Sequence, residues 1–313
     1  MISYCLNTNI IKLNKLSQLN YLNNEFKGTA YVVLSGILYG FLSYFGISLL
    51  QNGFSIASML FWRFLFSSIF LFIIQIPSFK EVKLPSLKTF FMAMIVGSSF
   101  YSSSTAFFFM ACKYICSGLA MVIFFVYPAL VAIINWILYK TKITKVYFSS
   151  FVLITFGIIL LIDLTELEVN IYGILLALLS GLTYAFYLVL SKKQLLNLSP
   201  LRGSLMVSLG SSLIFLVLML IESKGINIPS DKTAFIYCIV NGLIATALPM
   251  VLMLLGLQYI NSTKASILSV LEPVFTVIFG WLLLNEILSW QQIAGIIIVL
   301  AGSLIICKND TSK

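Results

Sequence analysis

The sequence predicts an all-α integral membrane protein whose ten transmembrane helices form two inverted five-helix repeats. Three observations carry that prediction. The first is composition: of 313 residues, 60% are hydrophobic and only 9% charged. A soluble domain carries about 25% charged residues, so this chain cannot cover a surface that faces water. The second is an ungapped internal repeat. An offset of 145 relates Pro128 to Pro273, Trp136 to Trp281, Gly97 to Gly242, Gly157 to Gly302 and Tyr114-Ile115 to Tyr259-Ile260. The same offset carries Leu34-Ser35-Gly36 with Tyr39 and Phe41 onto Leu179-Ser180-Gly181 with Tyr184 and Phe186. The third is parity. Each repeat holds five spans, an odd number, so the second copy enters the membrane upside down relative to the first. Internal repeats of this kind mark many secondary transporters and put the binding site near the midplane, between the halves.

A span needs about 20 apolar residues, within a range of about 17–25. Ten such stretches are present, at 30–50, 56–76, 89–111, 115–138, 146–163, 170–190, 203–221, 233–256, 263–284 and 289–307. They group into a first repeat over 28–163 and a second over 170–307, with polar tails at 1–27 and 308–313. The first tail lacks the basic start, apolar middle and small-residue cleavage site of a signal peptide. It reads as a frayed or interfacial segment.

Short connections hold the charges, and their signs fix the orientation. With both termini in the cytoplasm, fifteen basic residues lie inside: Lys12, Lys15, Lys27, Lys80, Lys83, Lys88, Lys140, Lys142, Lys145, Lys192, Lys193, Arg202, Lys264, Lys308 and Lys313. Only Lys113, Lys224 and Lys232 fall outside, together with the acidic cluster Asp163, Glu166 and Glu168. The expected location is a bacterial cytoplasmic membrane. The net charge of +9 is thus explained by loop clusters, and no basic stripe or patch points to nucleic acid.

The chain contains no histidine, which removes most zinc and haem sites and histidine-based proton relays. Of its five cysteines, Cys5, Cys112, Cys116, Cys238 and Cys307, the two at Cys112 and Cys116 lie four apart and could share a helical face near a loop. They read as apolar helix filler rather than as a redox or metal site. No cofactor is expected. An intramembrane enzyme would need a nucleophile–base pair, a carboxylate dyad or metal ligands, and the sequence offers almost none of these. No helix shows the polar stripe or ring of like charges expected of a channel.

Two charges sit well inside predicted helices, Arg63 in the second and Glu272 in the ninth. A mid-bilayer charge costs about 2.5–3.5 kcal/mol on insertion scales and should therefore face protein or a water cavity. At 1.5 Å per residue, Arg63 lies roughly 10 Å below the outer end of its helix, and Glu272 roughly 13 Å above the inner end of its own. Across a core of about 30 Å their depths differ by only several Å. They are expected to pair directly or to flank a common cavity. The alternative is an Arg63 that snorkels outward and a Glu272 bonded to a neighbouring helix.

Tyr127 matches Glu272 across the repeat and is expected on the symmetry-related wall. With Tyr39, Tyr184, Tyr101 and Asn241 it is a candidate lining of a polar-aromatic cavity. Pro128 and Pro273 free the carbonyls four residues back, at Phe124 and Ser269, and are candidate hinges or kinks. Pro249 in the eighth helix is a further kink candidate.

The segment Leu271-Glu272-Pro273-Val274-Phe275, followed by Trp281, Asn285-Glu286, Gln292, Gly295 and Gly302, resembles the closing signature of the drug/metabolite transporter superfamily. It is most similar to the EamA-type branch, whose members have ten helices in two five-helix repeats. The resemblance implies that the first, third, fourth, sixth, eighth and ninth helices surround a central cavity. It also implies gradient-linked or facilitated movement of amino acids, other small metabolites or drugs. One departure is visible, because the position matching Glu286 in the first repeat is Thr141. A zwitterion such as an amino acid suits one arginine and one glutamate. A sugar-phosphate or nucleotide exchanger would want several intramembrane cations, and a membrane scaffold would need no midplane charge pair. The expected partners are a small-molecule substrate and the lipid bilayer, with a homodimer left open.

Overall fold

Ten helices cross the molecule in the computed structural model, which describes residues 23–76, 87–162, 170–194, 198–223, 228–229, 231–284 and 288–310. They are α1 (Asn23–Gln51), α2 (Ile56–Gln75), α3 (Leu87–Ala111), α4 (Ser117–Tyr139) and α5 (Lys145–Leu160) in the first half. The second half contains α6 (Ile171–Gln194), α7 (Pro200–Ser223), α8 (Lys232–Tyr259), α9 (Ser262–Leu268 with Leu271–Leu284) and α10 (Trp290–Asp310). Eight of these are long and apolar enough to cross a membrane. The exceptions are α5, with 16 residues, and α3, whose serine-rich middle around Ser98–Thr105 dilutes its hydropathy.

The surface is the inverse of a soluble protein. Phe72, Ile73, Val217, Leu218, Trp136 and Trp281 are exposed, while Ser35, Ser67, Ser180, Ser204, Ser208 and Arg63 are fully or almost fully buried. Lipid solvates the outer apolar faces. Inside, small hydroxyl side chains let helix backbones approach and bond across them.

Tight turns join the spans. Gly53 adopts φ +86° between α1 and α2, and Lys140 adopts φ 55° as it closes α4. Ser55, Thr144 and Asn261 cap the starts of α2, α5 and α9 by accepting from Ser58, Tyr147 and Lys264 backbone N–H groups.

The repeat seen in sequence is a repeat of contacts. Ser35 Oγ donates to the Pro249 carbonyl at 2.7 Å, and Ser180 Oγ donates to the Ser104 carbonyl at 2.8 Å, the same bond displaced by 145 residues at both ends. Gly28 abuts Tyr259 and Ile260, as Gly173 abuts Ile115 and Tyr114. Gly157 lies against Val299, as Gly302 lies against Ile154. A side chain larger than hydrogen at any of these glycines would collide at under 3 Å. The matched glycines therefore record the α1–α8, α3–α6 and α5–α10 crossings.

Four spans are interrupted, α1 by a turn at Gly40. α4 breaks at Phe125–Val126 and α9 at Ser269–Val270, each just before its proline at 128 or 273. In α8, Leu243–Ala247 winds as a π-helix ahead of Pro249. Proline has no N–H to return to the carbonyl four residues back, so the preceding turn reorganises.

One expected boundary shifts. Residues 23–27, inside the segment expected to be a frayed or interfacial tail, belong to the first helix, and Glu25 there is buried. Lys12, Lys15, Lys80, Lys83, Asp163, Glu166, Glu168, Lys224, Asn285, Glu286, Lys313 and Cys5 lie outside the described residues.

A candidate central cavity and a terminal chamber

Arg63 is carried by α2 and is wholly buried. It does not snorkel. Its Nε donates to Thr246 Oγ1 at 2.7 Å and its Nη2 donates to the Tyr101 hydroxyl at 3.4 Å, while Nη1 has no protein partner. Tyr101 and Thr246 are themselves repeat mates, so Arg63 bridges symmetry-related positions of α3 and α8. Thr246 lies within the π-helix and donates to the Asn241 carbonyl at 2.8 Å. The widened turn thus aims the Thr246 oxygen at the guanidinium.

Arg63 and Glu272 line one cavity, together with Tyr39, Tyr101, Tyr184 and the hydroxyls of Ser104, Thr105 and Ser180. Phe108, Phe109, Met121, Phe124 and Phe125 form its apolar wall. No salt bridge joins Arg63 to Glu272. Lys264 and Glu25 do form an ion pair, with side chains 4% and 7% exposed. Glu272 remains partly accessible within the cavity. The volume is about 50 Å³, room for water-sized groups.

Tyr39, Tyr101 and Tyr184 line this cavity, with the Tyr39 and Tyr101 hydroxyls 3.1 Å apart. Two candidates do not. Tyr127 is fully buried beneath the cavity, its ring 4.8 Å from that of Tyr184 and its hydroxyl bonded to Ser269 Oγ. Proline-linked breaks in both α4 and α9 turn Tyr127 toward α9, so the repeat mate of Glu272 closes the floor instead of lining the wall. Asn241 is also fully buried and lies outside the cavity lining, with neither side-chain polar atom partnered by protein. The π-helix that begins two residues later presents Thr246 in its place. Thr246, Tyr187 and Glu25 escaped the sequence reading. Tyr187 packs 4.9 Å from Tyr101. Thr246 was detectable as the repeat mate of Tyr101, whereas nothing in the sequence marked Glu25.

Pro128 and Pro273 sit directly after the breaks in α4 and α9. The carbonyls they leave face glycines of the neighbouring helices, Phe124 against Gly181 and Ser269 against Gly36. Gly181 and Gly36 are repeat mates as well.

Below the tyrosine floor a second chamber of about 530 Å³ lies among the ends of α4, α6 and α10 and the starts of α5 and α9. Ten alternating crossings put all these ends on the face that carries both ends of the described chain. Asn135 spans this region between the halves, donating to Ser262 and Thr263 at 2.9 Å each.

The EamA-like transporter family profile matches residues 26–163 and 171–308, two copies that divide the chain where the repeat divides it. The chain belongs to the EamA-like transporter family. An uncharacterized transporter of Archaeoglobus fulgidus is 31% identical over 135 residues, 43% of this chain and 47% of that protein. The uncharacterized transporter YwfM of Bacillus subtilis is 26% identical over 181 residues, 57% of this chain and 60% of its own length. The aligned region thus spans about half of these relatives. YoaV of Bacillus subtilis, another uncharacterized transporter, aligns more fully, 23% identical over 251 residues, 76% of this chain and 85% of its own. A solved crystal structure superposes with a TM-score of 0.76 at 11% identity, covering 90% of this chain and 98% of that one. That likeness concerns the fold alone. This EamA-family member is an integral membrane protein with an internal repeat.

Proposed function

We propose that the chain is a secondary carrier that moves a small zwitterionic metabolite, an amino acid or a close analogue, across a bacterial cytoplasmic membrane by alternating access. The observation that carries this reading is the shared cavity of Arg63 and Glu272 between the two repeats. A carboxylate of the substrate would meet the Arg63 Nη1 group that has no protein partner, and an ammonium would meet Glu272. The two charges lie on opposite halves and hold no salt bridge with each other. Both remain open to a ligand that carries the complementary signs.

The cavity is smaller than the roughly 300 Å³ at which small-molecule pockets begin, so a zwitterion requires it to widen. The larger chamber beneath, beyond the floor of Tyr127 and Tyr184, supplies a route from the terminal-bearing face. Motion of one half against the other would open the floor through the breaks at Pro128 and Pro273, with both termini cytoplasmic. A single cation in the central cavity fits this substrate class better than a phosphate ester, which calls for several.

The test is uptake and release of a labelled amino-acid and metabolite panel in reconstituted vesicles, wild type beside Glu272→Gln and Arg63→Gln. Saturable flux that both substitutions abolish, in protein that elutes as a folded species, is expected. Undiminished flux in Glu272→Gln would overturn the assignment of the site. Absence of binding and flux for every compound would favour a scaffold role.

A further inference from the structure

The 530 Å³ chamber has chemistry that the central cavity lacks. Three lysines line it, Lys142 from the α4–α5 turn, Lys192 from α6 and Lys264 from α9, and none of its lining residues is acidic. Lys264 is matched by Glu25. Lys192 Nζ gives one bond to the Ile260 carbonyl, which leaves two of its three N–H groups. Lys142 is exposed at the chamber edge. Amides and hydroxyls of Asn135, Asn261 and Thr263 complete the polar wall.

The repeat gives this chamber an internal control. An offset of 145 carries Lys142, Lys192 and Lys264 onto Ile287, Ile47 and Leu119, three aliphatic residues. The repeat thus places lysines at these three positions in one copy and aliphatic side chains in the other. Cytoplasmic topology accounts for exposed lysines in turns, such as Lys140 and Lys145. It does not account for a half-buried Lys192 and a 4%-exposed Lys264 on the wall of an inward chamber.

We propose that the chamber binds an anionic group, a carboxylate or a phosphate, on Lys142 and Lys192. Its size falls within the roughly 300–1,000 Å³ of small-molecule sites, and two ammonium groups with adjoining hydroxyls and amides suit an oxyanion. The occupant has two sources, a soluble anion or the headgroup of an acidic lipid at the rim. Either one, held on a single face, would make the protein functionally asymmetric although its backbone is duplicated.

The test titrates inorganic phosphate, and separately acetate, into the full chain in phosphatidylcholine nanodiscs and reads the unfolding midpoint and the phosphorus resonance linewidth. A saturable response is expected in wild type, and also in Glu272→Gln and Lys113→Gln. It should weaken roughly tenfold in Lys142→Gln and in Lys192→Gln, vanish in the double variant and persist in Lys142→Arg/Lys192→Arg. Lys142→Gln, at an exposed position, carries the test if the double variant does not fold. Phosphate also stabilises proteins generally by exclusion from their surface. A non-saturating rise that is equal in wild type and the glutamine variants would therefore overturn the proposal. Repeating the titration with phosphatidylglycerol in the disc separates the sources. A right-shifted phosphate curve identifies the lipid headgroup as occupant, and an unshifted curve identifies a soluble anion. Retention of the response in Glu272→Gln keeps this outcome independent of the central transport site.

Discussion

Alanine placed at two repeat-related glycines should give opposite results. Gly36 and Gly181 occupy matching positions, and each faces the carbonyl left by a proline one turn later in the neighbouring span. A Cβ at Gly36 would stand 3.6 Å from the Ser269 oxygen, while one at Gly181 would stand 2.8 Å from the Phe124 oxygen. Carbon–oxygen contacts in helix pairs settle at about 3.3–3.6 Å, so the first fits and the second intrudes by about half an ångström. The intruded atom belongs to backbone and cannot swing aside. Both substitutions gain the same helix preference of alanine over glycine, about 0.5–1 kcal/mol, which cancels between them. What remains is overpacking at Gly181→Ala, about 1–3 kcal/mol. At about 2 kcal/mol, and about 2–4 °C per kcal/mol for larger domains, the two variants should differ by roughly 4–8 °C. The assay is thermal unfolding of both in one detergent at one scan rate, because irreversible unfolding makes the midpoint depend on rate. Gly36→Ala should match or exceed wild type. Equal loss in the two variants, or a Gly181→Ala midpoint at the wild-type value, would refute the packing asymmetry.

Other expectations concern the charged groups and the lipid face. Thr246→Val removes the acceptor of Arg63 Nε, a charge-assisted bond worth about 1.5–3 kcal/mol, so stability and substrate flux should fall while Thr246→Ser keeps both. Unchanged flux in Thr246→Val would show that Arg63 is aimed by something else. Lys264→Met strands a buried Glu25 and should cost about 3–5 kcal/mol, whereas Glu25→Leu/Lys264→Leu should recover most of the loss. A double-mutant cycle in chemical or thermal unfolding reads this coupling, and additive losses would dismiss it. Trp136 and Trp281, 55% and 49% exposed on matching helices, should be quenched by brominated lipid tails. Replacing each with Phe should remove part of that quenching, and an unaltered signal would mean that they do not face the bilayer.

The sequence made the membrane setting, the repeat and most helix positions legible because each is a one-dimensional property. Hydropathy records which stretches lipid can solvate, and an offset records duplication. Depth along a helix is also one-dimensional, at 1.5 Å per residue, which is why Arg63 and Glu272 could be brought to one level by counting. Azimuth is different. These helices are apolar on nearly every side, so periodicity does not reveal which face turns inward. Tyr127 and Asn241 lie at suitable depths yet point elsewhere, whereas Tyr39, Tyr101 and Tyr184 meet at the cavity.

Local backbone decided the misses. One added residue in a helical turn rotates everything beyond it by roughly 100°, and the π-helix at Leu243–Ala247 brings Thr246, not Asn241, to Arg63. The break at Phe125–Val126 likewise turns Tyr127 onto Ser269. Glu25 was invisible because its partner Lys264 lies 239 residues away. From composition and repetition alone, the sequence determined a ten-helix membrane protein built twice over. Only the tertiary structure decided which polar side chains meet, because that depends on how each apolar helix is rotated against its neighbours.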